Sequence, residues 1–314
     1  MSFREDLSHV SDWAVSYLER VPQLPVAADV QPGQVRKALP DSPPESPESV
    51  ADILRDLDEI VVPGLTHWNH PRFFAWFANT GSEPGILGEL LTATLNVNVM
   101  TWLSSPAGTE LETTVMDWLA QLLDLPSGWH GHIEDTASTA TVAALAAARH
   151  LRPGGVVYAS SQANFSVEKA ARLVGLEFRS VVTDDELRMR ADFPLDDATA
   201  VVATVGTTGT TAVDPVPELA RRCADAGVWL HVDAAYAGAA AICPELRWCL
   251  DGVDEADSVV VNPHKWLFTP MDCSTLWTRR PDALHGAFSI ERDYLAGTTD
   301  AIDLKDYGPA LGRR

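Results

Sequence analysis

The sequence predicts an α/β fold, in which a mixed, mostly parallel sheet is flanked by helices and preceded by an N-terminal helical segment. From about residue 83, short apolar strands alternate with amphipathic helices, which is the pattern of such a sheet. Residues 228–232 and 259–261 are nearly continuous apolar runs, as expected for parallel strands buried on both faces. A proline-rich stretch at 40–48 separates the first helix from the rest of the chain.

The N-terminal segment, residues 1–82, begins with a predicted helix at 3–20, because apolar residues recur there at helical spacing. Pro22 ends this helix, and residues 40–48 are expected to form a stiff linker without regular structure. Ser49 is expected to cap the next helix. The first helix has too little apolar surface to fold alone. We therefore expect it to dock on the body of the chain or on a second subunit, and we interpret the segment as a dimerisation element.

Residues 83–314 are predicted to form one large α/β domain. Its first helix covers about 84–97, and a second starts at Thr109, where Glu112 completes a capping box. Ser138 is expected to open a third helix, rich in alanine, that runs to about residue 150. The alternating part that follows has predicted strands at 156–159, 200–205, 228–233, 258–261 and 275–277, and predicted helices near 165–174 and 215–226.

The charge and the cysteines argue against several classes of function. A net charge of -21 disfavours binding of nucleic acid or of an anionic membrane surface, since both need clustered Lys and Arg. The four cysteines form no Cys-x-x-Cys pair, and no histidine cluster has metal-ligand spacing. We expect reduced thiols, a cytoplasmic location and no metal. No signal peptide is recognisable, and no apolar run approaches the roughly 20 residues that span a bilayer.

Two charged residues stand where buried strands end. Asp233 closes the apolar run 228–232, and Lys265 follows shortly after the run 259–261. Ligands of parallel sheets sit at the carboxyl ends of the strands. Pyridoxal phosphate needs both groups there, a lysine for its aldehyde and an anion for its ring nitrogen. A buried ion pair that only orders the core is the alternative explanation, although such pairs stabilise a fold weakly.

Small hydroxyl-bearing residues follow other strands. Residues 133–141 lead directly into the helix predicted from Ser138. Main-chain N–H groups at that helix start could hold a phosphate, or Ser138 is a plain helix cap. The turn 206–210 is a second loop of small hydrogen-bond donors. His264, beside Lys265, is either a core histidine or a cofactor contact.

Several segments carry a resemblance to a known family. They read His-Trp-Asn-His-Pro-Arg-Phe-Phe-Ala at 67–75, Ser-Pro-Ala-Gly-Thr-Glu-Leu-Glu at 105–112, Asp-Thr-Ala-Ser-Thr-Ala-Thr at 135–141, His-Val-Asp-Ala-Ala-Tyr-Ala-Gly at 231–238 and Asn-Pro-His-Lys-Trp at 262–266. Together they resemble the pyridoxal-phosphate-dependent group II amino-acid decarboxylases, and most closely the aromatic-L-amino-acid decarboxylase branch. The resemblance runs along the whole chain, and the ordered set of motifs is highly specific.

The resemblance implies the fold of the pyridoxal-phosphate-dependent transferases, known as fold type I, and a role for each matched residue. Lys265 would carry the cofactor as a Schiff base, and Asp233 would pair with the pyridine nitrogen. Tyr294, in the family's catalytic loop, would protonate Cα, usually in the active site of the partner subunit. The other implied cofactor contacts are Ala235 on the ring face, Thr208 near the ring, and Ala137, Ser138, Asn262 and His264 at the phosphate.

We also assign Trp76, Phe77 and Met100 to the substrate pocket.

Two features depart from the family pattern. Asn164, in Gln-Ala-Asn-Phe-Ser-Val-Glu, stands where the family has a histidine stacked on the cofactor ring. In some insect relatives an asparagine at this place accompanies an aldehyde-forming reaction. The chain also ends at Leu-Gly-Arg-Arg, which leads into a smaller C-terminal domain in the family, so we expect that domain to be absent.

The resemblance therefore predicts a pyridoxal-phosphate-dependent carboxy-lyase that converts an aromatic amino acid, such as Tyr, Trp, dopa or Phe, to its amine and CO2. It further implies a cytoplasmic homodimer, and we expect no nucleic-acid, membrane or metal partner. Two alternatives stay open. The first is an aromatic acetaldehyde synthase, suggested by Asn164, and the second is a catalytically silent truncated homologue, suggested by the missing domain.

Overall fold

A computed structural model describes residues 2–290 and 301–312 of the chain. It divides the chain into two compact units, Met1–Ala78 and Asn79–Arg314. Among the described residues, no helix has both the length and the apolar character that crossing a bilayer requires.

The first unit consists of short helices and irregular segments. Helix α1 (Phe3–Arg20) has the bounds that its apolar spacing predicts. A short α2 (Gln34–Ala38) follows, and residues 40–48 have no regular structure, as expected for the linker. Ser49 caps α3 (Val50–Asp56) by accepting a hydrogen bond from the Asp52 N–H at 3.2 Å, which confirms the predicted cap.

The second unit opens with α4 (Glu83–Leu95) and α5 (Pro106–Leu122). The predicted start of α5 at Thr109 is wrong. Ser105 is the cap, because its Oγ accepts the Gly108 N–H at 3.3 Å and proline at the next position suits the first helical turn. The Thr109 hydroxyl instead donates to the Ser105 carbonyl at 3.1 Å.

The described residues of this unit contain one seven-stranded sheet with the strand order β1-β7-β6-β5-β4-β2-β3. The five strands β3, β2, β4, β5 and β6, in that order across the sheet, run parallel to one another. Strand β7 pairs antiparallel with both β6 and β1. The strands are β1 (His130–Glu134), β2 (Val156–Ser160), β3 (Glu177–Val181), β4 (Ala198–Thr204), β5 (Trp229–Asp233), β6 (Ser258–Val261) and β7 (Ser274–Thr278).

Helices cover both faces of the sheet, which confirms the predicted α/β class. One face packs its Leu230 and Val232 into a core that includes α8 residues, and the other packs Trp229 and Val260 into a core that includes residues of α6, α7 and α10. The helices of this part of the chain are α6 (Ala137–Leu151), α7 (Ser166–Leu173), α8 (Val216–Ala226), α9 (Pro263–Trp266) and α10 (Pro281–Phe288).

The sequence analysis did not predict two strands, and it misplaced the start of a second helix, α6. The unpredicted β1 and β3 are the edges of the sheet, and their polar residues dilute the apolar signal of a buried strand. Helix α6 begins at Ala137 because Thr136, not Ser138, is its cap; the Thr136 hydroxyl accepts the Thr139 N–H at 3.4 Å. Ser138 is exposed in the first turn of that helix.

Candidate active site

Asp233 is the last residue of β5 and is only 5% exposed. The strand register places Thr204 of β4 and Val260 of β6 on either side of it. Its Oδ1 accepts the N–H of Ala235 at 3.1 Å, which fixes the side chain at the strand end. The carboxylate therefore lies at the carboxyl edge of the parallel strands, where the sequence placed it.

Lys265 lies in α9, the single helical turn that follows β6. Its main chain is held from two directions. The Lys265 N–H donates to the Asn262 carbonyl at 3.0 Å, and the Thr80 hydroxyl donates to the Lys265 carbonyl. The Thr80 N–H also donates to the His264 carbonyl at 3.2 Å. Thr80, which sequence analysis did not single out, thus fixes the backbone from which the lysine side chain extends.

The two charges influence each other. Burial raises the pKa of Asp233 above its ordinary value, and the positive charge of Lys265 counteracts that rise. Burial likewise lowers the pKa of Lys265, and the charge of Asp233 counteracts that fall. A lowered lysine pKa favours the unprotonated amine, which is the nucleophilic form that attacks an aldehyde.

The start of α9 brings Asn262 and His264 together in the buried interior. The Nδ1 atom of His264 accepts the Cys273 N–H at 3.2 Å, so a neutral ring carries its proton on Nε2. That nitrogen lies 3.4 Å from the amide nitrogen of Asn262, whose Oδ1 accepts from the Ser274 hydroxyl. Burial lowers the pKa of His264, which favours this neutral ring. The ring thereby offers one N–H donor.

The start of α6 offers main-chain donors at the same edge of the sheet. β1 runs parallel to β6, since both pair antiparallel with β7, and it leads straight into the helix. The first N–H groups of any helix, here those of Ala137 and Ser138, have no acceptor within the helix. Together with the helix dipole they suit a phosphate.

Asn164 and Thr208 follow the neighbouring strands β2 and β4. The Oδ1 atom of Asn164 accepts the Ser166 N–H at 3.0 Å, so the carbonyl end of the amide is engaged in the turn that precedes α7. This directs the amide nitrogen of Asn164 away from the helix. Thr208 is exposed in the turn after β4, and the N–H of its neighbour Thr207 donates to the Ala212 carbonyl at 3.0 Å.

The other four predicted site residues are Trp76, Phe77, Met100 and Tyr294. Trp76 and Phe77 belong to the first unit, where Trp76 stacks on Trp68 with ring centroids 5.5 Å apart. Met100 lies in the second unit, and its carbonyl accepts the Lys305 N–H at 2.9 Å. Tyr294 lies outside the described residues. The roles assigned to these four residues stay predictions.

Two buried groups near Asp233 were missed by the sequence analysis. His231, two residues earlier on β5, is fully buried, and burial lowers its pKa to about 3, so the ring is neutral. Asp214 accepts the Thr204 N–H at 2.8 Å through Oδ2 and the Met189 N–H at 2.7 Å through Oδ1. Asp214 thereby fixes the end of β4. An aspartate after a turn of small residues was the only signal that could have revealed it.

A cavity of about 530 Å³ lies beside the end of β1, and its lining includes Glu89, Glu134, Asp135 and Asp272 but no residue of α6. Cys273, whose N–H donates to His264, also lines this cavity. Its negative lining opposes a phosphate. Among the described residues, no cluster of His, Cys, Asp and Glu is arranged to hold a metal ion.

The residues at the strand ends fit pyridoxal phosphate. A buried carboxylate at Asp233 suits a protonated ring nitrogen, and an amine of lowered pKa at Lys265 suits an aldehyde. The small side chain of Ala235 beside Asp233 leaves room for a flat ring. The free N–H groups at the start of α6 suit the phosphate.

Comparison with known proteins agrees with this fit. Residues 32–314 match the family profile described as the pyridoxal-dependent decarboxylase conserved domain. The chain is 40% identical to a phenylacetaldehyde synthase of a Rosa hybrid cultivar and to a tyrosine decarboxylase of Papaver somniferum, over 99% of this chain and 68% of each relative. The crystal structure of Oryza sativa TDC with PLP and tryptamine superposes with a TM-score of 0.94 at 37% identity, covering 99% of this chain and 71% of that one.

Asp214 provides a test of the electrostatics behind the site. Burial raises its pKa from 3.8 to about 6. Since the folded pKa lies above the unfolded one, the stabilisation is present below about pH 4 and is lost as the pH rises through about 6. Asp214→Asn does not titrate. We expect the unfolding free energy of the wild type, relative to this variant, to fall by roughly 2 kcal/mol between pH 4 and pH 7.5.

Urea denaturation across this pH range measures the difference, and the hydrogen bond that asparagine loses adds only a constant offset. Asp251→Asn, which changes an exposed carboxylate, is the matched control and should follow the wild type at every pH. A difference between the wild type and Asp214→Asn that does not vary with pH would contradict a raised pKa at Asp214.

Proposed function

The chain belongs to the pyridoxal-dependent decarboxylase family, and on that premise we propose that it removes CO2 from an aromatic L-amino acid to give the corresponding amine. Its cofactor is pyridoxal phosphate. Relatives named for tyrosine, dopa and tryptophan decarboxylation support the substrate class. The chain spans about two thirds of the length of the curated relatives it matches.

The observation that carries this proposal is the pair of opposite charges at neighbouring strand ends. When bound, the cofactor supplies an electron sink for the pair of electrons left on Cα after CO2 departs. Lys265 is the residue that holds the cofactor covalently through its amine. Asp233 keeps a proton on the ring nitrogen, because its buried anion is stabilised by a positive charge directly opposite. Ala235 packs against the ring, and Thr208 lies near it.

The phosphate lies at the start of α6 in this proposal. The N–H groups of Ala137 and Ser138 donate to its oxygens, and the Nε2–H of His264 and the amide of Asn262 approach from the start of α9. Hydrogen bonds fix these donors: the Thr136 hydroxyl accepts the Thr139 N–H at the start of α6, the Cys273 N–H donates to His264, and the Ser274 hydroxyl donates to Asn262. A phosphate held by them would anchor the cofactor at this edge of the sheet.

A first test is turnover with pyridoxal phosphate and a panel of Tyr, Trp, dopa and Phe. We expect CO2 and the matching amine from at least one of them. Lys265→Ala should abolish turnover, because the cofactor then has no amine to bind covalently, while Lys169→Ala, on an exposed helix position, should keep it. Full activity of Lys265→Ala would contradict the proposal. Absence of turnover in the wild type, with the cofactor bound, would favour a catalytically silent homologue.

A second candidate product is favoured by Asn164 and by the relative named phenylacetaldehyde synthase. In that reaction the amino acid, O2 and water give the aldehyde, CO2, ammonia and hydrogen peroxide. Asn164 presents an amide smaller than an imidazole, and its oxygen is engaged by the Ser166 N–H. The face of the cofactor that a histidine would cover is therefore more open to O2. Tyr294, assigned as the proton donor to Cα, competes with O2 for the same electrons.

We expect the amine as the main product, with a measurable aldehyde and peroxide fraction. Asn164→His should lower that fraction by covering the ring, and Tyr294→Phe should raise it by removing the competing proton donor. Asn164→Asp is the control for the local hydrogen bond, because its carboxylate still accepts the Ser166 N–H. Amine, aldehyde and peroxide are measured for each variant. Peroxide fractions that are equal in the wild type, Asn164→His and Tyr294→Phe would show that these residues do not control the product.

We also propose a cytoplasmic homodimer in which a second copy covers apolar stripes on α1 and α4. None of the residues of α1, all of them described, is buried, and Phe3 is 79% exposed. Leu87, Leu91 and Leu95, one turn apart along α4, are 60–71% exposed. Exposed apolar side chains that follow one another along a helix are typical of surfaces that bind another protein. The four cysteines are free thiols, which supports a reducing compartment.

Light scattering after size exclusion tests the dimer. Deletion of residues 1–45 and the point variant Leu91→Asp should both give monomers or insoluble protein, because each removes apolar surface from the interface. Leu173→Asp, which changes an equally exposed leucine on α7, should remain dimeric. A deletion variant that stays dimeric and fully active would refute the role of α1.

A further inference from the structure

Thr204, the last residue of β4, has a hydroxyl that no assigned role explains. The residue is 5% exposed, and its Oγ1 has no hydrogen-bond partner among residues 2–290 and 301–312. A buried hydroxyl without a partner destabilises a folded protein, because its hydrogen bonds to water have been lost and not replaced. Such groups are therefore rare, and one beside a cofactor site points to a partner that acts there.

The strand register shows which group that partner is. Thr204 on β4 is the Cα partner of Asp233 on β5. Val202 lies two residues before Thr204, Trp229 lies four residues before Asp233, and both belong to the same core cluster. Side chains alternate along a strand, so Thr204 and Asp233 project from the same face as these two residues. Neighbouring strands are about 4.8 Å apart, which puts the carboxylate within reach of the hydroxyl after a change of rotamer.

The main chain of Thr204 is fully engaged elsewhere. Its N–H donates to the Asp214 carboxylate at 2.8 Å, and its carbonyl accepts the Asp214 N–H at 2.9 Å. The Val205 N–H that follows donates to the carbonyl of Asp233 at 2.8 Å. Thr204 is thus fixed beside Asp233 by its backbone, and only its hydroxyl remains available.

We propose that Thr204 is a positioning residue whose hydroxyl donates to the Asp233 carboxylate and holds it as an oriented anion against the cofactor nitrogen. The proposal rests on the role of Asp233 proposed above. Asp233 would face the protonated ring nitrogen, and the Ala235 N–H already donates to its Oδ1. A hydroxyl donor beside the carboxylate would fix its orientation, because a buried anion requires hydrogen bonds to its remaining lone pairs.

The test uses the full-length chain and titration with pyridoxal phosphate, followed by cofactor absorbance. Thr204→Val, which replaces the hydroxyl by a methyl group of similar size, should raise the Kd about tenfold. Its Tm without cofactor should equal or exceed that of the wild type, since an unpartnered buried hydroxyl is removed. Thr204→Ser should bind within about threefold of the wild type. Thr204→Ala repeats the test if the valine variant folds poorly.

Two comparisons separate this role from a structural one. Thr199→Val removes a hydroxyl at the other end of β4 that donates to the Gly154 carbonyl, so it should lower the Tm and leave the Kd unchanged. In an Asp233→Asn background, which itself should weaken binding, Thr204→Val should change the Kd by less than about threefold, because the hydroxyl acts through the carboxylate.

A wild-type Kd in Thr204→Val, with binding weakened in Asp233→Asn, would overturn the role of Thr204 and leave that of Asp233 intact. Equal tenfold losses in both backgrounds would also overturn it, since the hydroxyl would then act independently of the carboxylate. Wild-type binding in both single variants would overturn the role of Asp233 and with it this proposal.

Discussion

The burial of a carboxylate and an amine at adjacent strand ends is the constraint on which the rest of the site depends. Desolvation opposes both charges, and their mutual attraction only partly offsets it. A fold tolerates such a pair when the surroundings fix both partners. Here the Ala235 N–H holds Asp233, and Thr80 holds the backbone of Lys265. The pKa of Asp233 therefore stays raised and that of Lys265 stays lowered. In the proposed function pyridoxal phosphate supplies a partner for each group, an aldehyde for the amine and a ring nitrogen for the carboxylate.

Sheet topology explains why so many site residues meet at one edge. Strands β2, β4, β5 and β6 are successive neighbours in the sheet and run parallel. Strand β1 has the same direction as β6, because both pair antiparallel with β7. Their carboxyl ends therefore share an edge, although the residues that follow them are spread from Ala137 to Lys265 in sequence. Main-chain donors at the start of α6 and buried polar groups at the start of α9 complete the edge. The residues that we propose to bind the cofactor thus lie at strand ends and helix starts rather than in long loops.

Sequence alone predicted the α/β class and singled out Asp233 and Lys265, because a charge directly after an apolar run is a local signal. It also predicted the bounds of α1, where periodicity and the following proline agree. It misplaced the starts of α5 and α6, since several hydroxyl residues compete there and only geometry selects Ser105 and Thr136 as caps. The edge strands β1 and β3 lacked the apolar signal of buried strands. The sequence could not single out Thr204, because the role proposed for it depends on its register with Asp233 on a different strand.

The central claim is that Lys265 holds the cofactor opposite Asp233, and reduction of the loaded protein with borohydride tests it most directly. The chain contains only four lysines, Lys37, Lys169, Lys265 and Lys305, so peptide mapping distinguishes every candidate. Lys37 and Lys169 are exposed, and Lys305 pairs with Asp306 at 2.7 Å. We predict that the reduced cofactor is found on the peptide that contains Lys265 and on no other. Stoichiometric label on Lys37, Lys169 or Lys305, with Lys265 unmodified, would contradict the account.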